Sequence, residues 1–160
     1  MAGGRIRPAR RRDRPRILAL CDRTFRQHQQ RNPADFPEGG PNYAAAFLPG
    51  AFSFWRRQAR GLLVSESGGA LCGYILFRRY GSVVMVLDIG VDEGFHRTGE
   101  GRRLIEAMLA EVARDRRAQL VTATVWAGNA ASEALFSAAG FRPAAREYRY
   151  NLRDGSSNSG

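Results

Sequence analysis

Residues Val83–Val91 (VVMVLDIGV) form the longest β-prone apolar run in the chain, interrupted only by Asp88 and Gly90. Such a run predicts a central strand covered on both faces. A glycine-containing loop, 92–101, follows, and then Leu104, Ile105, Met108, Leu109 and Val112 share one side of a helix starting near Gly101. A strand that feeds a tight loop and a helix start is a restrictive unit. Unpaired N–H groups at a helix start, with the helix dipole behind them, favour a bound phosphate. Gly99 and Gly101 would let the backbone approach a pyrophosphate closely, and Arg97, Arg102 and Arg103 add positive charge. Taken alone, two glycines before a helix are more often an ordinary turn than a phosphate site. The lysine of a Walker loop is missing, and a Rossmann loop would carry G-x-G-x-x-G after the first strand.

The rest of the chain is read around this unit. Residues 6–9 are expected to form a short first strand. Asp13 reads as a helix N-cap with Pro15 in the first turn, and Ile17, Leu18, Cys21 and Phe25 fall on one helical face. Segment 32–41, NPADFPEGGP, holds three prolines and two glycines and is a loop. Short helices are expected over 43–48 and 52–58. Residues 62–64 and 71–77 read as a hairpin turning at Ser67-Gly68-Gly69. Residues 120–126 read as a strand, Asn129 as the cap of a short helix closed by Gly140, and Tyr148, Tyr150 and Leu152 as a last alternating strand. This order implies a single domain over 1–153, of mixed α/β (α+β) class. Its central sheet is expected to be mostly antiparallel, with about six or seven strands and helices on both faces. Residues 154–160, DGSSNSG, read as a flexible tail.

Composition narrows the function classes. The 160 residues fit one substantial core, and no apolar run approaches the roughly 20 residues that span a bilayer. A cytoplasmic location is the default expectation. Cys21 and Cys72 are widely spaced and read as buried thiols, and with only His28 and His96 besides there is no metal constellation. The net charge of +10 suggests nucleic acid, but all 25 basic residues are arginine and they are scattered along the chain. That pattern suits GC-rich coding better than a binding stripe, so a nucleic-acid partner is not expected.

Three elements in order resemble the GNAT superfamily of N-acetyltransferases. The strand ending at Val91 is followed by a loop similar to the family's Q/R-x-x-G-x-G/A motif, here His96 to Gly101. The segment Asn129-Ala130-Ala131-Ser132-Glu133-Ala134-Leu135-Phe136-Ser137-Ala138-Ala139-Gly140-Phe141 resembles the family's N-x-x-A-x-x-[FL]-Y-x-x-x-G-F helix. The opening IRPARRRD is also similar, and the likeness spans about residues 5 to 152. The resemblance implies acetyl-CoA as cofactor, bound where strands four and five splay apart. Ile89, Gly90 and Val91 would pair with the pantetheine arm. The amides of Arg97, Thr98, Gly99, Gly101 and Arg102 would cradle the pyrophosphate, within a motif that also includes His96 and Glu100. Asn129, besides capping its helix, would contact the cofactor arm, with Phe136 following on that helix.

The sequence departs from the family pattern at three places. His96 replaces the usual Gln or Arg. Glu100 stands where an apolar residue is usual, near anionic phosphates unless it turns to solvent or pairs with Arg97 or Arg103. Phe136 occupies the place of a tyrosine that protonates the departing thiolate, and phenylalanine has no proton to give. Water, Ser132 or Tyr148 are the candidate substitutes. Asp88, a lone carboxylate in an apolar strand, is the leading candidate to accept the amine proton, against an equal reading as a structural hydrogen-bonding or salt-bridge partner. Glu66 and Glu147 are weaker candidates. The expected reaction is direct transfer of an acetyl group to a primary amine. The alternative is a non-catalytic acyl-CoA-binding module. Asp35, Phe36, Glu38 and Tyr43 are expected to face the acceptor, a small molecule or a protein N-terminus, and a homodimer is a further partner the resemblance brings.

Overall fold

The computed structural model describes residues 4–31, 33, 61–126 and 128–145. Five strands and three helices run in the order β1 (Arg5–Pro8), α1 (Arg14–Arg31), β2 (Leu62–Ser67), β3 (Ala70–Tyr80), β4 (Val83–Val91), α2 (Glu100–Val112), β5 (Leu120–Ala123) and α3 (Ala130–Ala138). The sheet keeps chain order, β1-β2-β3-β4-β5. Its first three pairings are antiparallel and β4 pairs β5 in parallel, with α2 as the crossover. The mixed, mostly antiparallel sheet expected from the pattern is therefore present. Five strands stand among the described residues instead of six or seven. The expected last strand at 148–152 and the helices at 43–48 and 52–58 lie outside them.

Alternation along β2 and β3 builds two cores, because successive side chains leave a strand on opposite faces. Leu62, Val64, Tyr74 and Leu76 meet Ile17, Leu20 and Cys21 of α1. Leu63, Ile75 and Phe77 turn the other way and join Leu104, Ile105 and Met108 of α2 and Phe136 of α3. The strand buried on both faces is thus β3, where residues 71–77 are all buried. The longer apolar run, β4, is less covered, and Met85 is 39% exposed. Met85 is exposed although it lies within the stretch paired to β5, opposite Thr122.

Two local expectations shift. On α1 the buried line is Ile17, Leu20, Cys21 and Thr24, with Leu18 and Phe25 half-buried. Asp13 stands at the entrance of α1 as expected, but its carboxylate turns back. It accepts from the Arg10 amide at 2.6 Å and from the Arg7 guanidinium at 2.7 Å. Arg7 also reaches Glu66 on β2 at 2.8 Å, so one guanidinium ties β1, β2 and the start of α1. Charge-assisted bonds of this kind hold Asp13 and Glu66 below the usual carboxylate range, with the Arg7 hydrogen bond the largest cause in both.

Candidate functional site

The central feature is a gap in the sheet. The β4–β5 ladder ends at Val86 opposite Ala123. Leu87 is an extra residue in the β3–β4 ladder, since Phe77 pairs Val86 while Leu76 pairs Asp88. Beyond this bulge β4 keeps only its β3 neighbour among the described residues. The Asp92 amide donates to the Cys72 carbonyl at 2.8 Å. Alternation along an antiparallel ladder then turns the backbone groups of Gly90 toward β3 and those of Ile89 and Val91 into the gap. The Val91 carbonyl is engaged by His96 Nε2 at 2.9 Å. A carbonyl only accepts, so Nε2 carries the proton in that bond and Nδ1 lacks one in the neutral ring.

The loop after β4 delivers the chain to an open helix start. Glu93–Phe95 make a single 3-10 turn, and Thr98 Oγ1 donates back to the Phe95 carbonyl at 2.7 Å. Arg97 has φ 60° and Gly99 φ 84°. The left-handed conformation at Gly99 is strained for any residue with a Cβ. Gly99 offers no capping side chain, and the first ladder bond comes from the Arg103 amide to the Gly99 carbonyl at 3.0 Å. The amides of Glu100, Gly101 and Arg102 are left without intrahelical acceptors.

Glu100 resolves the conflict its charge posed. Its side chain is 2% exposed and turns under the loop, accepting from the Ser65 hydroxyl and from Arg103 Nη1, the latter at 3.0 Å. Arg103 also holds the Gly4 carbonyl at 2.6 Å. The carboxylate is neutralised from within.

A cavity of about 300 Å³ joins these parts. Ile89, Gly90, Val91, His96, Arg97, Gly99, Glu100, Gly101, Arg102 and Ser132 line it, so most of the residues expected at the site are brought together. Thr98 is exposed beside it. Asn129 caps α3, its Oδ1 accepting from the Ser132 amide at 3.1 Å. The Phe136 ring lies in the core, edge-on to Phe141 at 5.2 Å, and does not line the cavity. Asp35, Phe36, Glu38, Tyr43, Glu147 and Tyr148 lie outside the described residues. One wall was not anticipated from the sequence: Thr24, Gln27 and His28 of α1. Their spacing i, i+3, i+4 was the only available sign.

Asp88 sits on the α1 side of β4 and is not part of this lining. Its Oδ2 accepts from the Tyr74 hydroxyl, and Cys21 Sγ lies 4.0 Å away. Desolvation pushes the Asp88 carboxyl above the usual range, against the opposing hydrogen bonds from Tyr74 and the Ile89 amide. Burial also pushes the Tyr74 phenol well up. Of the two roles weighed for Asp88, the structural hydrogen bond is present, with a tyrosine as its partner. Gly90 makes that bond reachable, since a Cβ there would lie 2.6 Å from Tyr74 Cε1. Both cysteines are buried and neither is in a disulfide. Among the described residues no cluster suits a metal ion, and no helix is long and apolar enough to cross a membrane.

A strand parted from its neighbour and running into an uncapped helix start is the arrangement that a family comparison can test. Residues 21–141 match the model of the Acetyltransferase (GNAT) family. The chain belongs to the GNAT acetyltransferase family. The family uses acetyl-CoA. No curated protein matches in sequence. Among solved structures, a single-site mutant of the BH1408 protein from Bacillus halodurans superposes with a TM-score of 0.71 at 17% identity, covering 92% of this chain and 99% of that one. The ribosomal-protein-alanine N-acetyltransferase of Brucella melitensis gives 0.64 at 25% identity, over 86% and 84%. The putative acetyltransferase yncA of Salmonella typhimurium, solved with acetyl-CoA, gives 0.67 at 24% identity, over 88% and 80%. These likenesses bear on the GNAT fold; none identifies an acceptor.

Proposed function

We propose that this GNAT chain is an acetyl-CoA-dependent N-acetyltransferase that moves an acetyl group directly to a primary amine. The observation that carries the reading is the free edge of β4, Leu87 to Val91, leading straight into the uncapped start of α2. An extended pantetheine arm would add to that edge as a strand does, through Ile89 and Val91. The amides of Gly99 to Arg102, with Arg97 and Arg102 beside them, suit a pyrophosphate. Glu100 does not oppose it, being held beneath by Ser65 and Arg103. Asn129 and Ser132 set the first turn of α3 on the β5 side.

Bound acetyl-CoA supplies an activated thioester. The contribution of the chain is to hold the reactants together and to aim backbone N–H groups of the β4 edge at the carbonyl oxygen. Ser132, half-buried in the cavity wall, carries the hydroxyl that would replace the one Phe136 lacks. A structure with the ring of Phe136 packed in the core also supports one rival, an acyl-CoA-binding module without turnover.

The deciding experiment is acetyl-CoA consumption with free-thiol release across a panel of amines, paired with calorimetry of CoA. Amine-dependent thiol release is the expected result. Tight CoA binding with no release on any amine favours the binding module, and no CoA binding overturns both readings.

A further inference from the structure

An imidazole that can gain a proton without giving up its structural bond is a suitable partner for a bound anion. His96 has this form. Its Nε2–H donates to the Val91 carbonyl at 2.9 Å, which ties the loop to the end of β4 and leaves Nδ1 as the seat of a second proton. Protonation at Nδ1 makes the ring a cation and keeps the bond, now charge-assisted. Neither the loop nor the strand has to move.

The half-buried ring lines the cavity together with Gly99, Gly101 and Arg102 of the uncapped helix start. A compact space of about 300 Å³ is on the order of 8 Å across, within the screening length of roughly 8–10 Å at physiological salt. Phosphate charge held at the amides of Gly99 to Arg102 is therefore felt at His96.

The charges around the ring do not supply that anion in advance. From the loop, Arg97 adds a second cation, while Asp92 is paired with Arg23 at 2.6 Å and Glu93 accepts from Gln27 at 3.4 Å. From α2, Arg102 pairs Glu106 at 2.8 Å, and the Glu100 carboxylate is turned under the loop to Ser65 and Arg103. From β4 the one carboxylate is Asp88, which accepts from Tyr74 and lies outside the lining. The residues that α3 presents, Ala131, Ser132 and Leu135, carry no charge. From α1 the ring faces His28, which burial first, then Arg31 and His96, hold below the ordinary imidazole value. Of the two imidazoles on the cavity wall, His96 is thus the better placed to take up charge.

We propose that His96 is a proton-linked anion-binding residue: the cofactor's pyrophosphate draws a proton from solvent onto Nδ1, and the imidazolium then shares in holding it. This coupling rests on the acetyl-CoA reading. It goes beyond the backbone contacts of the loop, because the Gln or Arg usual at this place in the family does not change charge near neutral pH.

The test is calorimetric titration of the full chain with CoA near neutral pH, in buffers of low and high ionisation heat, whose difference counts the protons taken up. Dephospho-CoA is titrated in parallel, because it keeps the pyrophosphate and lacks the terminal phosphate that itself takes up protons near neutrality. With both ligands the wild type is expected to take up part of a proton, and its affinity to rise roughly three- to tenfold between about pH 8 and pH 6. His96→Gln keeps an N–H donor for Val91 and has no titrating nitrogen. It should bind within about twofold of the wild type near pH 8 and show neither the uptake nor the gain in acid. His28→Gln should show both. Equal uptake by the wild type and His96→Gln overturns the proposal, and so does loss of uptake in His28→Gln alone. If His96→Gln folds poorly, the wild type decides by itself. The chain has two histidines, so the ring NMR signals of His96 are assigned by difference from His28→Gln. They should titrate at higher pH with dephospho-CoA bound than without it, and a titration that does not move overturns the coupling. A wild type that binds neither ligand at any pH overturns the acetyl-CoA reading itself, and this coupling with it.

Discussion

Gly90 and Glu100 show how single residues at this site answer to neighbours far away in sequence. The ring of Tyr74 crosses the bare Cα of Gly90 to reach Asp88, two residues further back on the same face of β4. Gly90→Ala should force the ring aside and separate the phenol from the carboxylate. We expect a loss of about 1–3 kcal/mol in denaturant unfolding, from overpacking in a core that has no slack. Glu100 is a different case. Its charge is matched by Arg103, so Glu100→Gln should leave CoA affinity nearly unchanged in calorimetry. The same variant should unfold more easily, by about 1–3 kcal/mol, because Arg103 loses its ionic partner and Ser65 a strong acceptor. A marked gain in CoA affinity would instead mean that the carboxylate is felt by the phosphates.

At the scale of elements, the helix starts and the strand ends do the positioning. Asn129 caps α3 as its place before an Ala-rich segment suggested, and Asn129→Ala should cost about 1 kcal/mol, read from thermal unfolding. The entrance of α1 is held differently. Arg7 and Asp13 are 9% and 1% exposed, so Arg7→Ala strands a buried carboxylate and should cost about 3 kcal/mol at pH 7. The pH dependence has a definite sign. Asp13 titrates lower in the folded chain than in the unfolded one. Its contribution is therefore present above the unfolded value of 3.8 and fades as pH falls through the lower folded value. Chemical denaturation of both proteins between pH 7 and pH 2 should show their stabilities converging in acid. Parallel curves would show that Asp13 draws its stability elsewhere.

Over the whole molecule, the strand-loop-helix unit, the amphipathic α2 and the capped α3 were legible because each is a local pattern: a β-prone run, a helical period, a side chain three residues from the amide it accepts. The resemblance to the family, carried by these elements, is what grouped Ile89, Val91, His96, Gly99 and Arg102, and they line one cavity. What stayed hidden depends on pairing between distant segments. That β3 is covered on both faces follows from α1 packing on one side of it and α2 on the other, which is not written in the strand alone. Asp13 looked like a plain cap until β1 brought Arg7 beside it, 59 residues from Glu66 in the chain. Asp88 carried two equal readings, a base or a structural partner, because Tyr74 reaches it only across a hairpin, and the α1 wall of the cavity was not visible because β4, α2 and α3 complete it. The sequence by itself determined the order of the described elements, the glycine loop before α2 and the family, since local periodicity carries the elements and short motifs carry the resemblance. Only the tertiary structure decided which ionisable side chains are paired inside the fold and which line the cavity, because burial and charge pairing are properties of surfaces brought together by folding.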